Sequence, residues 1–191
     1  MVLKSYKLLG TDSHNPPITM GENLGISGKS ASDLKENSFK ELWKNPFLTK
    51  WDMRFIKLAE EVRTWSKDPK RQVGCVLAID KRDVSRGYNG FPEGLSDDLS
   101  RLKDPFFKGK VIIHAEVNAI LNAAKFGVKT AGSTAYVTYH PCAPCASQLI
   151  QAGVVKLVCP SPKQASDKWA MDFSLASDIL FEAGVLVLYY S

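Results

Sequence analysis

The stretch VIIHAEVNAILNAAKFGVKTAGSTAYVTYHPCAPCASQLIQAGVVKLVC, residues 111–159, decides the fold. Its apolar residues recur at helical spacing over 111–126, and Gly127 stands where a helix closes on a left-handed residue. Residues 133–139 then read as a strand, 142–152 as a helix stopped by Gly153, and 154–159 as another strand. Alternating helix and strand favours parallel neighbours joined by right-handed crossovers.

Toward the C-terminus the alternation continues, with a helix over 167–183 stopped by Gly184 and a last strand over 185–190. Toward the N-terminus, Met53, Ile56, Leu58, Ala59 and Val62 put apolar residues on one side of a helix over 51–65, which Asp68-Pro69 ends. Residues 72–79 read as a buried strand, 80–83 as a polar turn and 84–88 as the returning strand of a hairpin. The turn residues from Asn89 to Gly94 make a loop, and the polar segment 95–110 has room for a short helical turn. The order α-β-β-α-β-α-β-α-β predicts a three-layer α/β/α sandwich around a five-stranded mixed sheet. Residues 1–48 differ, with Ser, Asn, Gly, Pro and Lys in mixed order and few periodic aliphatics. They read as a flexible N-terminal extension, ending in a short helix near Leu42–Trp43 and leaving 49–191 as one domain.

The chain has 191 residues, 45% of them hydrophobic, which suffices for a packed core. A net charge of +5 favours a phosphate-bearing partner, from a mononucleotide to RNA. Four cysteines in a chain of this size, without a secretory leader, argue against a disulfide framework. No stretch approaches a membrane span. A soluble cytoplasmic protein is the expectation by elimination.

Two short words carry the chemistry: His114-Ala115-Glu116 and Pro141-Cys142-Ala143-Pro144-Cys145. Cysteines three apart on the first turn of a helix can present both sulfurs to one metal, and the helix N-terminus favours thiolates. With His114 they make three protein ligands, the pattern of a catalytic zinc site that leaves one position for water. Zinc lowers the pKa of such a water from about 15.7 toward 7. Glu116, two residues from His114, is placed to take the proton and return it to a leaving amine.

Blander readings exist for each word. A lone C-x-x-C can be a redox pair or half a zinc knuckle. A structural zinc needs a fourth ligand, for which His14, His140, Cys75 and Cys159 are the candidates. An isolated H-x-E can be a core histidine followed by a helix-capping acid. Cys75 and Cys159 lie in apolar strands and read as core residues.

H-x-E followed by P-C-x-x-C is the signature of zinc deaminases acting on cytosine and adenine. Ser66-Lys67-Asp68-Pro69, Gln72-Val73-Gly74, the run Gly87-Tyr88-Asn89-Gly90-Phe91-Pro92 and the run from His114 to Ile120 narrow this, and together resemble the deoxycytidylate (dCMP) deaminase family. The resemblance covers the chain from about Trp51 onward. It implies hydrolysis of dCMP to dUMP and ammonia, supplying thymidylate synthesis. It implies one zinc per chain on His114, Cys142 and Cys145, with Glu116 as proton shuttle and the Ala115 backbone at the base edge. Asn89 matches an asparagine that contacts the sugar, and Ser66 and Lys67 are candidates for the phosphate side. It further implies a homo-oligomer, often a hexamer, with dCTP as activator and dTTP as inhibitor. A tRNA adenosine deaminase shares both zinc words, but the GYNGFP and SKDP words favour the nucleotide branch and count against a nucleic-acid partner. A zinc-stabilised nucleotide sensor without turnover is the non-enzymatic alternative, against which Glu116 stands.

Overall fold

A computed structural model describes residues 47–162 and 167–190. The expected extension therefore lies, apart from Phe47 and Leu48, outside the described residues, as does the helix expected near Leu42–Trp43. The elements are α1 (Lys50–Arg63), β1 (Gly74–Ile79), β2 (Arg82–Tyr88), α2 (Leu99–Lys103), α3 (Pro105–Val111), α4 (Ala115–Lys125), β3 (Thr134–Val137), α5 (Ala143–Gln151), β4 (Lys156–Pro160), α6 (Asp167–Glu182) and β5 (Leu186–Tyr190). The strands form one sheet in the order β2-β1-β3-β4-β5. β1 pairs antiparallel with β2 and β3, whereas β3, β4 and β5 run parallel. The five-stranded mixed sheet and its helical layers are those the sequence predicts.

The layering follows from strand alternation, because successive side chains leave a strand on opposite faces. Cys75, Leu77, Ala135, Val137, Leu157 and Cys159 face one core. There they meet α4, α5 and α6 through small residues such as Ala119, Ala146 and Ala176. Val76, Ala78, Tyr136 and Val158 face the other side, where Met53, Ile56, Ala59 and Val62 of α1 cover them. α1 is fixed at its start by a capping box in which Thr49 and Asp52 satisfy each other's backbone N–H groups. Such a cap contributes about 1 kcal/mol.

Boundaries differ from the sequence reading in three places, each for a local reason. The hairpin turn is only Asp80-Lys81, both left-handed at φ 48° and 65°, so β2 begins at Arg82 within the expected turn. Two such residues match the twist of the flanking strands. The segment expected to hold one helical turn contains α2 and α3, capped by Asp98 and Asp104, with Pro105 opening the second. The helix expected over 111–126 starts only at Ala115. Val111 closes α3, Ile112 is extended at φ −65°, ψ 132°, and Ile113 forms a β-bridge with Gly90. The apolar run Val111-Ile112-Ile113 thus mimics one helical turn, while Val111 ends α3 and Ile112-Ile113 serve as a strand-like connector.

α4 is stitched to the edge strand β2. Asn118 Nδ2 donates to Tyr88 O (2.7 Å), Asn122 Nδ2 to Arg86 O (2.8 Å), and Ser85 Oγ to Ala119 O (2.6 Å). These bonds fix the start of α4, and with it His114, against the sheet.

Candidate active site

Three chain segments converge at one end of the sheet. Gly74 and Thr138 are joined by two hydrogen bonds, Gly74 N to Thr138 Oγ1 and Thr138 N to Gly74 O, both 3.0 Å. Gly90 and Ile113 exchange backbone bonds of 3.1 and 2.9 Å. Asn89 N donates to Val73 O at 3.1 Å, so the start of β1 ties the loop after β2 and the lead into α4 to the lead into α5.

At this junction His114 and Cys142 are the N-cap residues of α4 and α5, both extended (ψ 156° and 164°) and neither capping its helix with its side chain. Cys145 lies one turn into α5. His114 Nδ1 stands 3.3 Å from Cys145 Sγ and 3.5 Å from Cys142 Sγ. All three ligand atoms lie within 4.8 Å of one another. Tetrahedral zinc with bonds of about 2.05 Å to nitrogen and 2.3 Å to sulfur requires an N···S separation of about 3.6 Å. The donor set therefore fits zinc with little movement.

The electrostatics agree. A hydrogen bond from the Cys145 thiol, aided by His114, pulls Cys142 down to about 5, against the opposing effect of burial. Cys145 is pushed up because it holds the proton the two sulfurs share. Bonding to Cys142 raises His114, again against burial. A cation between these groups displaces the shared protons. Glu116 is 4% exposed, and burial pushes its carboxyl above the ordinary value. A carboxyl tuned upward and set beside His114 and Cys145 is suited to accept a proton and return it.

The other candidate ligands for a structural zinc are not at this cluster. Cys75 and Cys159 are fully buried in β1 and β4, and burial raises both thiols. The His140 ring packs between Phe173 and Tyr189, and its Nδ1 lies 3.0 Å from Pro141 O. His14 lies outside the described residues. Among the described residues the metal cluster has three ligands.

The remaining sequence candidates form a second polar group beside the first. Asn89 adjoins Gly90 of the bridge, as His114 adjoins Ile113. Its Oδ1 accepts from Val73 N (2.7 Å), and its Nδ2 donates to Arg71 O (2.9 Å) and Asp68 Oδ2 (3.1 Å). Ser66 is buried, and its Oγ donates to Asn89 O at 2.7 Å. Lys67 stands at the surface, paired with Asp97 at 2.8 Å. Ala115 is buried at the first position of α4. A cavity of about 390 Å³ lies away from all of these, on the α1 face beside Trp51, Phe55 and Tyr136.

Two residues of this region escaped the sequence reading. Arg71 places its guanidinium 4.2 Å from the centre of the Tyr139 ring, three residues before Cys142. The Lys70-Arg71 pair after Pro69 was its sequence signal. Asp172, from α6, accepts from Ala143 N at 3.1 Å. No local pattern announces that contact across 29 residues.

The sequence matches the cytidine and deoxycytidylate deaminase zinc-binding region over residues 49–161. It is 39% identical over 147 residues to an uncharacterized deaminase in the luxG 3′ region of Aliivibrio fischeri, covering 74% of this chain and 95% of that one. It is 37% identical over 142 residues to the deoxycytidylate deaminase of Homo sapiens, covering 71% and 76%. Among solved structures, the dCMP deaminase of cyanophage S-TIM5 in complex with dCMP and dUMP is similar at a TM-score of 0.58 and 26% identity, covering 71% of this chain and 93% of that one. With a His-Cys-Cys cluster of zinc dimensions in the matched region, the chain belongs to the deoxycytidylate deaminase family of zinc-dependent enzymes, with one zinc per chain.

Proposed function

We propose that the protein hydrolyses dCMP to dUMP and ammonia. The observation that carries this reading is the buried Glu116 beside a three-ligand cluster, in a chain whose relatives include deoxycytidylate deaminases. Bound there, zinc supplies Lewis acidity that makes water a nucleophile near neutral pH. Glu116 takes one proton from the attacking water and passes it to N3 of the base, as the oxygen bonds to C4 and the C4=N3 π bond opens. It then carries the remaining hydroxyl proton to the amino group, the bond from C4 to the amino nitrogen breaks, and ammonia leaves while C4 keeps the oxygen as a carbonyl. The first turn of α4 supports base recognition by Ala115, because His114 gives it no side-chain cap. The second acceptor site on Asn89 Oδ1 supports a sugar contact, since both its amide protons are committed to Arg71 and Asp68. On the phosphate side, Ser66 Oγ donates internally, so Lys67 and the neighbouring Arg71 supply the charge.

The same reading includes a homo-oligomer of the hexameric kind, activated by dCTP and inhibited by dTTP. Val155 and Leu186, joined by a 3.0 Å backbone bond, are both about half exposed, and such apolar surface suits a subunit contact. Light scattering gives the subunit number, and added effectors give the response. The reaction itself is tested in ¹⁸O-labelled water. It should yield dUMP labelled at C4 with one ammonia per dUMP. Ammonia-free solution with unchanged dCMP would refute it.

A further inference from the structure

α6 touches the metal-binding segment at three points. The Phe173 ring packs on Tyr139 and His140, with centroids 5.6 and 5.0 Å apart. Ser177 Oγ lies 3.4 Å from His140 Nε2. Asp172 Oδ2 accepts from Ala143 N at 3.1 Å. The third contact meets a specific need of α5.

A helix leaves its first N–H groups without intrahelical partners, and the N-cap side chain ordinarily accepts from one of them across the first turn. In α5 the N-cap is Cys142, whose side chain accepts no capping hydrogen bond and whose sulfur stands 3.5 Å from His114 Nδ1. Pro144 has no N–H. The Ala143 N–H, next to Cys142, is met by Asp172 from a different helix. Phe173, Ala176 and Leu180 are buried, and the last two share a core with Ala146 and Leu149 of α5. The carboxylate is therefore held on a fixed platform.

We propose that Asp172 is a positioning residue for the zinc centre, a cap supplied in trans that sets the backbone at Cys142-Ala143 and so the relative placement of the two sulfurs. It touches neither substrate nor reacting atoms. The proposal rests on His114, Cys142 and Cys145 as zinc ligands. Zinc content of the wild type tests that assignment separately, because a protein without zinc would remove the ligand reading before Asp172 is considered.

The test compares purified, zinc-loaded wild type with Asp172→Ala and Asp172→Asn. Asparagine keeps an acceptor oxygen in the same place and drops the charge. The readouts are the rate of zinc release to a coloured chelator and the visible spectrum of the cobalt-substituted proteins, which reports ligand geometry. Loss of a partner of this kind typically costs 10–100-fold in metal affinity. We expect Asp172→Ala to release zinc at least tenfold faster with a shifted cobalt band, and Asp172→Asn to recover most of both. Wild-type release and spectrum in the alanine variant would overturn the proposal. So would an asparagine variant no better than alanine, since charge and not the hydrogen bond would then be responsible. Should the alanine variant fail to fold, Asp172→Leu, branched at the same carbon and without an acceptor, takes its place in the same comparison.

Discussion

A Cβ built on Gly87 would lie 2.3 Å from the amide nitrogen of Ala119, and 2.5 Å from Ala115 O. The α4 backbone therefore rests directly on β2, and the glycine sets how deep the helix bearing Glu116 sits. Gly87→Ala has to push α4 outward. Overpacking of this kind costs about 1–3 kcal/mol, a fall in Tm of roughly 2–12 °C for a chain of this size. Calorimetry should show that fall, together with weaker zinc retention because His114 moves with the helix.

Glu116→Gln keeps the size and burial of the side chain and removes its ability to carry a proton. Zinc content should stay at the wild-type value, because Glu116 is not among the clustered ligands. Turnover should drop by about 10²–10⁴-fold. Metal analysis and an ammonia assay on the same sample check both, and undiminished turnover would remove Glu116 from the mechanism.

Two buried carboxylates make stability depend on acid. Burial works to raise Asp68, but Lys108 and the N–H groups of Lys70 and Arg71 outweigh it and hold the carboxyl below its ordinary value. Asp52 is likewise held low against burial by Lys156, Thr49 and Tyr136. The unfolded chain then binds these protons more tightly than the folded one. The stabilisation is present above the unfolded pKa of about 3.9 and is lost as pH falls through the lower folded values. Melting curves between pH 6 and 3 should show the loss, and Asp52→Asn should flatten it. Removing one partner of such a buried pair, as in Lys108→Met, costs about 3–5 kcal/mol at neutral pH.

The phosphate assignment separates two substrates. Lys67→Ala and Arg71→Ala should each raise KM for dCMP roughly tenfold, the scale of one lost charged hydrogen bond. KM for deoxycytidine, which has no phosphate, should not change. Equal effects on dCMP and deoxycytidine would place these side chains elsewhere in the site.

Sequence alone was informative where chemistry and periodicity coincide. His114, Cys142 and Cys145 could be chosen because zinc demands few residue types at short spacing, and the succession of helices and strands followed from alternation closed by Gly127, Gly153 and Gly184. Residues 111–113 misled because an apolar triplet looks the same in a helical turn and in a strand-like connector. Ser66 and Asn89 were visible as words, but not as partners in one buried network with Asp68. That network depends on contacts across about twenty residues, which no local pattern encodes. Asp172 was silent for the same reason.

The most direct test of the central claim is ammonia release by the purified protein offered dCMP, dCTP, deoxycytidine and an adenosine-bearing tRNA anticodon stem, with zinc measured on the same sample. Turnover of dCMP above the others, with about one zinc per chain, is the predicted result. Zinc-loaded protein that turns over the tRNA stem instead, or none of the four, would contradict it.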